Sequence, residues 1–362
     1  MKRTVIFLIL VGLFITGCNP SVDLSGIANV DFSSEGYFAT LDEDTLLIQN
    51  GKGLQVINLT TKQVIKEITL VGPVGSDISG DIIVWSDFRN EKRSLEELGD
   101  IAMANSDIFV YNLKTGEQKQ ITTNPSAQLG PKIWQNYVVW QDNRNDAIKD
   151  YPGKWSLYLY DLNTGKEQLV TSTLAAHSTY NIRDFQVVWE DDRNNKATNI
   201  VRGGENLPEN NKDIYSFNIK EGKEIPIATG PRMESRPYVF GDYVVWEDRN
   251  NGTYDADIVL YNISTQQKTQ LTHDEFNQAD PEIFGDYVVW MDERRGTSTN
   301  DVFINGQPPN SDIFTYNLKT HTERLLTGDG PQIMPSISSN WVAFILSKQI
   351  GPLVQVIRYK SK

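Results

Sequence analysis

Short apolar runs, each followed by a polar cluster, recur along the whole chain. The clearest pair is GDYVVWEDRN (241 to 250) and GDYVVWMDER (285 to 294), with Trp246 and Trp290 standing 44 positions apart. A period of this size marks an array of stacked supersecondary units. The unit resolves into four short segments. Segment a opens at a Pro in PKIW (131 to 134), PYVF (237 to 240) and PEIF (281 to 284). Segment b is the VVW run. Segment c has the form DIFVYNL, and segment d ends in IT or LT.

Segments b and c each occur seven times. Segment b runs from TLLI (45 to 48) to NWVAF (340 to 344), and segment c from LQVINL (54 to 59) to LVQVIRY (353 to 359). They are rich in Val, Ile, Tyr, Phe and Trp, residues that fit a pleated and buried surface. The turns agree with this reading. Gly80, Gly241 and Gly285 lie between a and b, where Asn136, Asp184 and Asn340 replace Gly in other copies. Gly116, Gly165 and Gly222 lie between c and d and suit the left-handed position of a bulged hairpin. Lys62, Gln267 and His321 fall near that place in three copies, where strained turns are expected.

Four short antiparallel strands cannot bury both faces of their sheet alone. Stacking the sheets face to face in a ring does so. The pattern therefore predicts an all-β, seven-bladed β-propeller of four-stranded antiparallel blades. Segment d has six copies, and the seventh unit ends after segment c. Residues 24 to 32, ahead of the first segment a (GYFAT, 36 to 40), belong to no unit. This stretch is expected to supply the outer strand of the last blade, closing the ring through the N-terminal strand and covering an edge.

The combination of P-x-[IVF]-x-G-D-x-V-V-W-x-D with D-I-[YF]-x-[YF]-[ND]-L and a following L-T resembles the TolB-type β-propeller repeat, in the form found in bacterial cell-surface proteins and lipoproteins. The resemblance spans residues 36 to 360 and implies the propeller fold. It implies no particular activity, because this fold hosts binding modules, periplasmic partners and enzymes. TolB itself carries a separate domain ahead of its propeller. Only 17 residues separate Cys18 from the first repeat, so no counterpart is expected here.

The N-terminus adds a cellular address. Lys2 and Arg3 precede an apolar run from Thr4 to Thr16, too short to span a bilayer comfortably. Ile15-Thr16-Gly17-Cys18 follows, and it resembles the lipobox of bacterial lipoproteins. The expected organisation is a signal peptide over 1–17, a lipidated Cys18 and tether over 18–23, and a propeller domain over 24–362. Cys18 is the only cysteine, which leaves none for an intrachain disulfide, a Cys-rich zinc site or CxxC redox chemistry. The formal charge is −13, and loss of Lys2 and Arg3 with the signal takes −13 to −15. Such a surface repels nucleic-acid phosphates. Nucleic acid is therefore not an expected partner. The expected partners are an envelope protein or surface polysaccharide, with membrane contact through the lipid alone and the chain a monomer.

The most regular polar feature follows segment b. Two residues after each Trp stands an Asp, and close behind it an Arg. The pairs are Asp87 and Arg89, Asp142 and Arg144, Asp191 and Arg193, Asp248 and Arg249, and Asp292 and Arg294. Asp107, Asp213, Asp257 and Asp312 open segment c. This constellation is either a ring that binds a polar ligand or a repeated cap. A residue that serves each blade's own fold recurs in every blade, so the weight falls on capping, with Arg free to pair with a neighbouring blade's carboxylate. The long b–c loops (86 to 106, 190 to 212, 291 to 311) are the better candidates for recognition.

Enzyme chemistry finds few handholds. His177, His273 and His321 are the only histidines and show no metal-ligand spacing. His177 precedes a segment a, where it faces either the channel or the surface. No G-x-S-x-G occurs. The acidic loops DRNNGTYDAD (248 to 257) and DNRND (142 to 146) offer oxygen ligands but do not match an EF-hand. No cofactor, metal site or catalytic residue is assigned. The leading expectation is a lipid-anchored extracytoplasmic binding or scaffold module. The alternative is a carboxylate-dependent enzyme acting on exported glycan or peptide.

Overall fold

The computed structural model describes residues 29–359 except 73–74, 95–96, 98–103, 147–154, 175–177, 195–198, 203–204, 209–210, 250–254, 297–310, 329 and 348–350. The expected signal segment, Cys18 and His177 lie outside the described residues, as do parts of the long b–c loops. Among the described residues, the strands form seven four-stranded sheets and one two-stranded ribbon. Each sheet is a blade in which strands a, b, c and d are adjacent in order. In blade 3 these are Gln128–Trp134, Tyr137–Asp142, Trp155–Asp161 and Lys166–Leu174, all antiparallel. The ribbon, Asn199–Arg202 with Glu205–Pro208, lies within the b–c connection of blade 4.

Strand b is apolar on both faces because its side chains alternate between two neighbouring blades. Val244 and Trp246 pack toward blade 4, beside Val188 and Ile214. Val245, between them, packs toward blade 6, beside Ile283 and Trp290. The hydrophobic core is thus a ring of seams between blades. Trp85, Trp140, Trp189, Trp246 and Trp290 are all fully buried in these seams. Each buried side chain of this class contributes roughly 1.5–3 kcal/mol.

The ring closes as expected, with a shifted boundary. The outer strand of blade 7 is Val30–Glu35, paired antiparallel with Leu353–Arg358. The expected stretch, 24 to 32, overlaps this strand at 30–32 while 24–28 lie outside the described residues, and strand a of blade 1 is Phe38–Asp42 rather than 36 to 40. Gly36 stays between them because a Cβ there would lie 2.4 Å from Ile48 Cγ2.

Strand a also differs from expectation. Pro131, Pro237 and Pro281 stand inside strands that start earlier: Gln128–Trp134, Met233–Phe240 and Gln278–Phe284. A β-bulge in each strand accommodates the proline, which has no N–H to offer a ladder. Among the c–d turns, Lys62, Gln266 and His321 adopt positive φ of 59°, 58° and 54°, so in blade 5 the strained residue is Gln266 and not Gln267.

Candidate functional site: the mouth of the central channel

In blades 2, 3, 4 and 6 the Asp and Arg pair forms a brace within the blade. Asp142 ends strand b of blade 3 and is fully buried. Trp140 Nε1 donates to it at 3.1 Å, the Arg144 backbone N–H at 2.8 Å, and Arg144 Nε at 2.8 Å. The Arg144 guanidinium lies 4.2 Å from the centre of the Tyr158 ring, on which Trp140 also stacks. Blade 4 repeats this with Asp191, Arg193, Trp189 and Tyr215, and blade 6 with Asp292, Arg294, Trp290 and Phe314. In blade 2, Asp87 receives Arg89 in the same way, and Arg89 lies over Phe109. The outer partners Glu167, Glu224 and Glu323 lie on strand d of the same blade. The expected pairing of Arg with a neighbouring blade's carboxylate is therefore corrected. The Arg follows the Asp by two residues, so the turn folds the guanidinium back onto its own blade; Arg294 alone of the four also reaches Asp274, at 3.3 Å on the connection from blade 5.

Burial alone would push the Asp191 carboxyl up, but hydrogen bonds from Arg193, Thr173 and Trp189 outweigh it and hold it below its ordinary value. Blade 5 departs from the pattern. Arg249 pairs with Glu247 at 3.1 Å, while Arg232 and Lys268 serve Asp248. The Asp residues that open strand c tie down the loops, with Asn90 Nδ2 on Asp107 at 2.7 Å and Asn194 Nδ2 on Asp213 at 2.8 Å.

A second set of carboxylates, not anticipated from the repeat, clips blade to blade. The Ile133 N–H donates to Asp77 at 2.9 Å, Arg236 N–H to Glu190 at 3.1 Å, Asp280 N–H to Glu247 at 2.8 Å, and Ile337 N–H to Glu282 at 3.0 Å. Each acceptor belongs to the blade before its donor. At the closing seam, Ser336 Oγ accepts from Leu41 N–H at 3.2 Å, and Trp341 Nε1 donates to Asp44 at 2.7 Å. Their spacing from the Trp of strand b takes two values: Asp77 and Glu282 stand eight residues before it, and Glu190 and Glu247 one residue after it.

Strand a of every blade lines a cavity of about 440 Å³ in the central channel. Four blades place the bulge at this level, always one residue before a proline. The bulge residues are Gly130, Arg236, Asp280 and Met334, with φ of 58°, 53°, 53° and 52°. The residue before a proline avoids the helical regions, and a non-glycine residue at positive φ costs on the order of 1–3 kcal/mol. Blade 3 meets the demand with Gly. Blades 5, 6 and 7 hold an Arg, an Asp and a Met there. Arg236 and Asp280 form an ion pair across the mouth. Lys132, Asp77, Glu282, Tyr180 and Tyr238 line the wall beneath.

Burial pushes the Glu282 carboxyl up to about 7, against the opposing pull of the Ile337 N–H and Lys132. Burial likewise raises Asp77 and Glu247. Among the described residues, no group of three His, Cys, Asp or Glu is arranged to hold a metal ion. His321 sits on an outer c–d turn, 3.3 Å from the Tyr316 hydroxyl.

No protein-family model matches the chain, and no curated protein sequence matches it. Solved structures do. The β-propeller domain of the Trilobed protease from Pyrococcus furiosus is similar at 12% identity and a TM-score of 0.59, covering 92% of this chain and 97% of that one. That domain has an open velcro topology, whereas here the first strand pairs with the last blade. An oligogalacturonate lyase from Vibrio parahaemolyticus is similar at 13% identity and a TM-score of 0.58, covering 91% of this chain and 92% of that one. TolB from Acinetobacter baumannii matches at 12% identity and a TM-score of 0.47, covering 89% and 76%. At these identities the likeness concerns the fold. With seven four-stranded blades closed into a ring by its own first strand, the chain is a seven-bladed β-propeller.

Proposed function

We propose that this chain is a lipid-anchored, extracytoplasmic β-propeller that acts as a protein- or glycan-binding scaffold module of the cell envelope and engages its partner at the channel mouth. The carrying observation is a contrast between two sets of equivalent positions. The Asp and Arg brace repeats from blade to blade, while the bulge position reads Gly130, Arg236, Asp280 and Met334. Repetition suits a fold. Variation at strained positions around one cavity suits an asymmetric ligand. The address rests on the apolar segment 4–16 and Cys18. A Cys18→Ser chain is expected to leave the membrane fraction, and retention there would overturn the anchor. For the site, a photo-crosslinker in the full chain at Met334 is expected to capture a partner in cells, and one at Val64 on the outer strand of blade 1 is not. Capture from Val64 alone would move the interface to the blade edges.

A second reading, an enzyme acting on exported glycan or peptide, draws support from Asp77 and Glu282. They line one cavity, and the Asp77 charge helps raise the Glu282 carboxyl. A carboxyl near 7 suits a proton donor. The fold also occurs in an oligogalacturonate lyase. Turnover of an envelope glycan or peptide by the native chain, lost in Glu282→Gln, would favour this reading over simple binding.

A further inference from the structure

The channel mouth holds an imbalance that the inter-blade clips do not resolve. Lys132 lines the cavity from strand a of blade 3 and is half-buried. Among the described residues no carboxylate oxygen lies within 4.0 Å of its ammonium, and its contact is the Phe38 ring, 5.6 Å away. The carboxylates that Lys132 acts on from beyond ion-pair distance, Asp77 and Glu282, are held by the backbone N–H groups of Ile133 and Ile337. Burial also drives both toward the neutral form. Ser178 Oγ, on the same lining, is buried and has no partner among the described residues. Across the mouth stands Arg236, its side chain 46% exposed, held outward by a bulge at positive φ. It pairs there with Asp280, itself on a bulge of the same kind, and its Nε lies 3.6 Å from the Glu247 carboxylate.

A cation half-removed from water with no ion pair at contact distance is costly, and a ligand anion relieves that cost. Proline and methionine at the rim, Pro237, Pro281, Pro335 and Met334, supply an apolar collar for the rest of such a ligand. We propose that the channel mouth binds the carboxylate of an acidic organic ligand, with Lys132 as its counter-ion, Ser178 as a hydroxyl donor and Arg236 as a second cation released from Asp280. This rests on the reading of the channel mouth as the binding site and names the chemistry that site selects. The carboxylate belongs either to an acidic sugar or to a peptide C-terminus, and both present the same group to Lys132.

Binding by the purified full chain is measured by calorimetry with two acids, D-glucuronate and N-acetyl-dialanine, and with their neutral counterparts, glucose and N-acetyl-dialanine amide. At least one acid is expected to bind while its neutral counterpart does not, and the arm that binds identifies the source. Lys132→Met is expected to weaken that acid roughly tenfold or more, and Lys132→Arg to restore most of the loss. Arg236→Gly tests the second cation: Gly suits the positive φ and keeps the N–H that donates to Glu190, which offsets the lost ion pairs to Asp280 and Glu247. It is expected to weaken binding several-fold in a chain that still melts cooperatively. Failure of both acids to bind, or binding unchanged in a folded Lys132→Met chain, overturns the proposal. Crosslinking at Met334 in cells reports separately on the channel mouth as an interface, so these failures sink the ligand chemistry alone.

Discussion

Asp142 joins three groups that the chain cannot otherwise satisfy in one place: the Trp140 indole N–H, the Arg144 backbone and the Arg144 guanidinium. Truncating it strands a buried indole N–H and frees an arginine from its ring. Asp142→Ala is expected to lower unfolding free energy by about 2–4 kcal/mol in a denaturant titration, with partner capture unchanged. Asp248→Ala in blade 5 is expected to cost less, because the Trp246 indole N–H is not on Asp248 to begin with and Arg249 is already elsewhere. Equal losses at both sites would show that the brace is not what Asp142 contributes. Much of this was readable in the chain: the step from Trp to Asp to Arg is constant in four blades. The departure in blade 5 was also visible, as Arg249 standing one place early. Register was not. Gln128 and Gln278 pair across from Asp142 and Asp292, and Glu234 takes their place opposite Asp248. Burial pushes the Glu234 carboxyl up to about 7, with Asp248 adding to it. No reading of one strand at a time could have found that substitution.

At the scale of elements, strand b announces itself because both its faces are buried, so nothing interrupts its apolar run. Strand a was located by its prolines and was misplaced at its start. Its first residues are polar or small, such as Gln128 and Gln278, and face a seam or the channel rather than a continuous core. The bulges that let proline sit inside the strand follow from backbone geometry that no hydrophobic pattern records. The closing strand Val30–Glu35 is exposed on alternate residues and reads as a tether by composition, so only the missing seventh copy of strand d betrayed it. It covers the edge of Leu353–Arg358 and packs Phe32 against Leu41, Trp341 and Val354. A chain lacking residues 30–35 is expected to lose about 3 kcal/mol and melt roughly 6 °C lower, with the open edge promoting aggregation. An unchanged melting temperature would mean that the seam between blades 7 and 1 holds without its strap.

At the scale of the whole ring, the inter-blade clips make stability depend on protons. Glu282 reaches across the seam to Ile337, and its carboxyl titrates near 7 in the folded chain against about 4.5 in the unfolded one. The folded state therefore holds a proton that the unfolded state releases between those values. Stability from this group is full below about pH 4.5, declines as pH rises to 7, and is flat above that. Asp191 runs the other way. Its carboxyl is held low by its brace, so its contribution is present at neutral pH and lost on acidification. The two windows are adjacent: Asp191 loses its contribution below about pH 4, and Glu282 changes between about 4.5 and 7, so the pH profile of the native chain records both. The difference between native chain and Glu282→Gln removes the common part. That difference, in unfolding free energy, is expected to move against the native chain from pH 4.5 to 7 by at most about 1.4 kcal/mol per pH unit, then to stop changing. A difference that is constant across the range would show that Glu282 stays ionised in the ring. The cavity would then carry a fixed negative charge beside Lys132, and the ammonium would have its counter-ion in the protein.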